Sequence, residues 1–115
     1  MQRAATWPAL IAACGAGCGG ASTPPPTDAW VGRWNGPEGT YLEIAGAGGA
    51  YEITVKDLDA ARTFRGNAAG DRILFLRGGT TESLRATNGD ETGMKWLAGK
   101  ANCLTIKSGE GFCRD

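Results

Sequence analysis

The sequence predicts an all-β fold, a small antiparallel meander of about seven or eight strands closing into a barrel. Three observations carry that expectation. Apolar and polar residues alternate in short runs with the two-residue period of half-buried strands. Clusters of Gly, Asn, Asp and Ser interrupt those runs about every 8 to 12 residues, the spacing of a meander rather than of βα units. No segment carries a long amphipathic helical period.

The elements follow in order. The run Trp30-Val31-Gly32-Arg33-Trp34 opens the first strand. Residues 41–45 alternate, the glycine-rich stretch 46–49 breaks the run, and residues 51–56 alternate again. In that second run Tyr51, Ile53 and Val55 share a face opposite Glu52, Thr54 and Lys56. Further strands are expected at 62–66, 72–77, 81–87, 93–97, 102–107 and 111–114, with turns at 57–60, 67–71, 78–79, 88–90, 98–99 and 108–110. Residues 58–63 have the composition for one helical turn, too short to change the class. In Arg72-Ile73-Leu74-Phe75-Leu76-Arg77, apolar residues occupy both parities. That pattern predicts a central strand covered on both faces, the alternative being an outward face that meets something else, with the arginines as flanking gatekeepers. Closure into a barrel removes the unpaired edges such a sheet would otherwise expose.

Ahead of the strands the composition changes. Arg3 precedes a mostly apolar run of about ten residues, well short of the ~20 needed to span a bilayer as a helix. Small residues then lead into Cys14, the order of a secretory signal. Ile11-Ala12-Ala13-Cys14 resembles the lipobox of bacterial lipoproteins, in which the cysteine thiol is lipidated and the chain cut just before it. Gly15-Ala16-Gly17-Cys18 is the alternative, and cysteine parity favours it, because a cut before Cys14 leaves Cys18 without a partner. The resemblance implies a signal peptide over 1–13, a lipidated tether over 14–29 and a barrel domain over 30–115. The glycines and the run Pro24-Pro25-Pro26 give that tether a reach on the order of 20 Å. Glycine rather than aspartate follows either cysteine, which in Gram-negative lipoproteins implies outer-membrane residence facing the periplasm. The membrane is then a partner through the lipid alone.

Cys103 and Cys113 bracket a candidate terminal hairpin and, in an oxidising compartment, should form a disulfide. Closing a loop of that size is worth on the order of 2 to 3 kcal/mol by the chain-entropy argument. The absence of histidine and of Cys-x-x-Cys leaves a zinc site without ligands, so neither metal nor cofactor is expected. It also removes Ser-His-Asp and Cys-His catalysis. Asp57, Asp59, Glu82, Asp90 and Glu91 remain as carboxylates, but they fall in turns and at strand ends, where such groups cap backbone N–H. Twelve basic and twelve acidic residues, without a basic stripe, exclude nucleic acid as an obvious partner.

Gly32-Arg33-Trp34 resembles the Gly-x-Trp opening of lipocalins and avidin-like barrels, which implies that Gly32 permits a bend and Trp34 plugs the closed end. The expectation is therefore a non-catalytic binding module. Trp30, Tyr41, Arg85 and Trp96 are its candidate contacts to a protein or envelope glycan, with Tyr51, Phe112 and Lys95 as further large or charged side chains near them in sequence. The alternative is a lipocalin-like carrier of a small apolar ligand, for which a cavity well below ~300 Å³ would be too small. Mass spectrometry of the N-terminal peptide extracted from membranes should find a lipidated Cys14 or Cys18. An intact Met1 or a plain amine would contradict the lipoprotein reading.

Overall fold

The computed structural model describes residues 23–114, so the signal segment, Cys14 and Cys18 lie outside the described residues. Eight strands, β1 Gly32–Asn35, β2 Tyr41–Ala47, β3 Ala50–Lys56, β4 Ala61–Ala69, β5 Arg72–Arg77, β6 Thr80–Thr87, β7 Cys103–Lys107 and β8 Glu110–Cys113, form a closed antiparallel barrel in chain order. Inward residues follow the expected period. Leu42, Ile44, Ile53, Ile73, Leu84 and Leu104 are completely or almost completely buried, and Trp34, Tyr51, Val55, Phe75, Ile106 and Phe112 fill the remaining interior. Gly66 makes this packing possible: a Cβ there would sit 2.5 Å from Ile53 Cδ1 and 2.9 Å from Ile73 Cγ2, so the glycine lets isoleucines of β3 and β5 approach across β4.

The structure corrects the sequence reading in several places. Residues 93–97 are not a strand. The long β6–β7 connection instead holds two 3-10 turns, Asp90–Thr92 and Lys95–Leu97, separated by Gly93 in the left-handed region (φ 76°). Its burial of Leu97 and Met94 produces the apolar pattern that resembles a strand. No helical turn forms at 58–63, because the Asp57 carboxylate accepts the N–H groups of Asp59 and Ala60, tightening the hairpin so that β4 starts at Ala61. Strand β4 continues through Asn67 to Ala69, leaving only Gly70 and Asp71 for the turn. The outward side of β5 is not covered: Leu74 is 37% and Leu76 62% exposed. Residues 27–29, expected in the tether, belong to the folded unit, since Thr27 is fully buried within the 3-10 turn Pro26–Trp30.

Polar clasps secure both ends. At the end carrying the β2–β3 and β4–β5 turns, Asp28 accepts from the N–H groups of Gly48 (3.0 Å) and Gly49 (3.3 Å) and from the Tyr51 hydroxyl (2.6 Å). Thr27 Oγ1 shares a second hydrogen bond with that hydroxyl at 2.7 Å. At the other end Arg77 of β5 presents a two-pronged fork to Glu110 of β8 (both contacts 2.7 Å) and also reaches Glu82 of β6 (3.0 Å). These three side chains are at most 23% exposed, so the charge-assisted bonds are shielded and hold the Arg77 guanidinium firmly protonated. The seam between first and last strands is the sparsest contact, a single paired position, Asn35 with Cys113.

The Tyr51 hydroxyl, followed by the Gly48 N–H, holds the Asp28 carboxyl below its ordinary range. Its folded form thus binds a proton less readily than its unfolded form, so its contribution is complete above about pH 4 and is lost as pH falls through the lowered value. Replacing Asp28 with Asn should lower the urea midpoint at neutral pH and flatten the decline of that midpoint below about pH 4. Parallel wild-type and variant curves would contradict the clasp.

Candidate functional site

The disulfide sets the position of the site. Cys103 and Cys113 lie directly opposite one another on β7 and β8, and the bond between them forms as expected. Both sulfurs face outward, where Leu97 and Met94 cover them in a second, smaller apolar cluster outside the barrel. The β6–β7 connection lies over this cluster as a flap. At its base Gly89 N–H donates to Lys100 O (2.8 Å), and at its tip Gly109 N–H donates to Thr92 O (2.8 Å). Asn88 and Glu91 cap the first turn reciprocally, each side chain accepting the other's backbone N–H. A side chain at Gly89 would collide with the Leu97 carbonyl, so the two arms of the flap meet only because that position is glycine. Beneath it the Thr87 and Thr105 hydroxyls pair at 2.7 Å, satisfying polar groups that the flap buries.

Two clefts flank the disulfide and share Arg114. One, of about 470 Å³, is walled by Trp30, Trp34, Ala86, Glu91, Asn102 and Arg114. The other, of about 360 Å³, lies among Asn35, Pro37, Trp96, Lys100 and Arg114. Arg114 itself is held in place. Its guanidinium donates to Val31 O (3.1 Å) and Ala29 O (2.6 Å), and its carbon stands 3.9 Å from the centre of the Trp34 ring. Trp34 Nε1–H in turn donates to Trp30 O at 2.8 Å. Gly32 has φ 126°, and a Cβ there would lie 3.2 Å from the Arg114 guanidinium, so the glycine provides both the bend and the space for the arginine. An indole plane, a guanidinium and a backbone ridge are thereby fixed against each other without needing a ligand.

The predicted contact residues separate into different places. Trp30 and Trp96 line the two adjoining clefts, with Trp30 partly buried against the core and Trp96 76% exposed. Tyr41 lies elsewhere, on the outer side of β2 beneath the Arg33 guanidinium at 3.8 Å. Arg85 is on the outward face of β6, opposite Arg72 and Thr105, and lines neither cleft. Tyr51 and Phe112 are core residues. Lys95 is exposed on the flap. Sequence reasoning missed Arg114, Asn35 and Asn102, because their relation to the tryptophans exists only once β8 closes against β1.

Four of the five carboxylates considered for catalysis have structural tasks. Asp57 holds its hairpin, Glu82 belongs to the Arg77 clasp, Glu91 caps the flap, and Asp90 accepts the Gly99 N–H. Asp59 lies in the same turn that Asp57 organises. Among the described residues no three His, Cys, Asp or Glu side chains gather in a metal-binding group. The barrel interior is filled by side chains; at the end carrying the β3–β4 and β7–β8 turns a recess of about 110 Å³ remains beside Val55, Met94 and Phe112.

Replacing Arg114 with Gln removes the stacked cation and at least one of its two carbonyl contacts at the seam. A loss of about 2 kcal/mol is expected, lowering the melting temperature of so small a domain by about 10 °C. An unchanged melting curve would show that the guanidinium is not a structural staple. Compared with known proteins, the chain matches no family model, no curated protein and no solved structure.

Proposed function

We propose that the protein is a non-catalytic binding module that takes a small ligand with a flat apolar face in the cleft between Trp30, Trp34 and Arg114. The observation that carries this reading is the cleft itself. At about 470 Å³ it lies within the ~300–1,000 Å³ range of small-molecule sites; the half-buried Trp30 supplies its aromatic wall, Trp34 lies beneath the Arg114 guanidinium, and Glu91, Asn102 and Arg114 add convergent polar groups. The side chains that would meet the ligand are already held by Arg114 and by the Trp34–Trp30 hydrogen bond, which lowers the ordering cost of binding. In this reading the barrel is a carrier whose ligand lies across its plugged end, while the packed lumen acts as scaffold.

A second reading, recognition of an envelope glycan or protein, is favoured by Trp96. An indole 76% exposed beside Asn35 and Lys100 is a stacking platform with hydrogen-bonding groups at its rim. For location, the lipobox resemblance supports attachment through Cys14 or Cys18 to the outer membrane, with the barrel facing the periplasm.

Titration with N-phenyl-1-naphthylamine and, separately, with a soluble chito-oligosaccharide discriminates the two readings. The small-ligand reading expects the naphthylamine to bind, Trp30→Ala to weaken it at least tenfold, and Trp96→Ala to leave it unchanged. Oligosaccharide binding lost in Trp96→Ala would favour the glycan reading. Binding of neither probe, with near-UV circular dichroism confirming the fold, would count against both.

A further inference from the structure

We infer that the outward face of β4, β5 and β6 is a docking surface for an anionic membrane. Leu74 and Leu76 project from β5 on that face, 37% and 62% exposed, and with Arg65, Asn67 and Thr81 they line one shallow depression. Two leucines side by side on one strand of a small domain form an apolar patch, whereas scattered exposed leucines carry no meaning. The arginines around them differ from the other arginines of the domain, although Lys56, Lys95, Lys100 and Lys107 elsewhere also lack a carboxylate within 4 Å among the described residues. Arg33, Arg62 and Arg77 each have a carboxylate within 3.4 Å, and Arg114 is held by two backbone carbonyls. Arg65 and Arg85 have no carboxylate partner among the described residues, and Arg72 has only Asp71 at 3.9 Å, itself 94% exposed. Glu52 stands opposite Arg65 in the ladder but forms no ion pair with it. The arginines without a close acid thus surround the exposed leucines.

Arg72 and Arg85 are directly opposed across β5 and β6, an arrangement that like charges disfavour unless an anion lies between them. The same charge repulsion opposes stacking of this face on a second copy. A row of phosphates satisfies all three arginines while the leucines enter the acyl boundary, the pattern of interfacial amphipathic anchors. The chain enters at the barrel end that carries the β2–β3 and β4–β5 turns, above the inward side of β4. Pro25 lies against the β2–β3 turn next to Ala68 of β4, since a Cβ at Gly49 would be 3.4 Å from both. A lipid on Cys18 or Cys14, seven or eleven residues before Pro25, would hold the domain within reach of the bilayer; this last point rests on the proposed lipidation, while the composition of the face does not.

The full chain, isotope-labelled at leucine methyls and reconstituted in phosphatidylglycerol-containing nanodiscs doped with a gadolinium-chelating lipid, tests the inference. Leu58, 66% exposed on the β3–β4 turn, is the internal control. Leu74 and Leu76 methyls should relax several-fold faster than those of Leu58, and the excess should vanish in neutral phosphatidylcholine discs and in Arg72→Gln/Arg85→Gln. Equal enhancement at all three leucines, or an excess that persists in neutral discs, would overturn it. Burial of Leu74 and Leu76 that depends on protein concentration in the absence of lipid would assign the face to a second copy. The mass of the N-terminal peptide, read on the same sample, separates failure of this inference from failure of the lipidation reading.

Discussion

Closure of β8 onto β1 is the constraint on which the other features depend. A sheet this small has too little core to tolerate two open edges, and a barrel abolishes them. Yet the closing ladder supplies only the pairing of Asn35 with Cys113. Side chains complete what the backbone does not. Arg114 reaches from the residue after β8 to the carbonyls just before β1, the disulfide ties β8 to β7, and Phe112 enters the core beneath Gly36. The clefts at this seam arise because side chains, rather than a continuous ladder, bridge the two strands there.

The second organising feature is that the molecule has an inside and a covered outside. Strand β7 is buried on both sides, with Leu104 and Ile106 facing the lumen, Cys103 and Thr105 facing the flap. The flap is held by short-range devices: a capping box, a left-handed glycine, and a glycine at its base that permits contact between its arms. Strand β5 has a comparable apolar content but no flap. The difference between these strands is one of connection length, since the β5–β6 turn is only Gly78-Gly79, whereas some fifteen residues link β6 to β7.

This contrast explains what the sequence could reveal. The strands with clean alternation, β2 and β3, were legible because one face meets the core and the other meets water, so period-two patterning records their environment directly. The turns at 57–60, 78–79 and 108–110 were legible from their glycines and aspartate. The flap was not. Leu97 and Met94 are apolar because they cover a disulfide in three dimensions, and locally that resembles a strand. For β5, local patterning cannot distinguish a strand covered by another element from one left bare. Of the candidate contacts, Trp30 and Trp96 could be chosen as large aromatics, although the sequence reads both as strand residues and they stand in 3-10 turns, and Arg114 becomes their neighbour only through closure of the ring.

The clasp around Asp28 also determines how the domain bears load. A chain anchored upstream transmits any pull through Pro25 and the turn that follows it. That turn is held to Gly48, Gly49 and Tyr51 by Asp28 and Thr27 before the backbone reaches β1. Tension is therefore diverted into the β2–β3 hairpin, whose seven paired positions can resist it, and away from the one-pair seam downstream. The weakest joint in the barrel is mechanically sheltered by its position beyond the clasp.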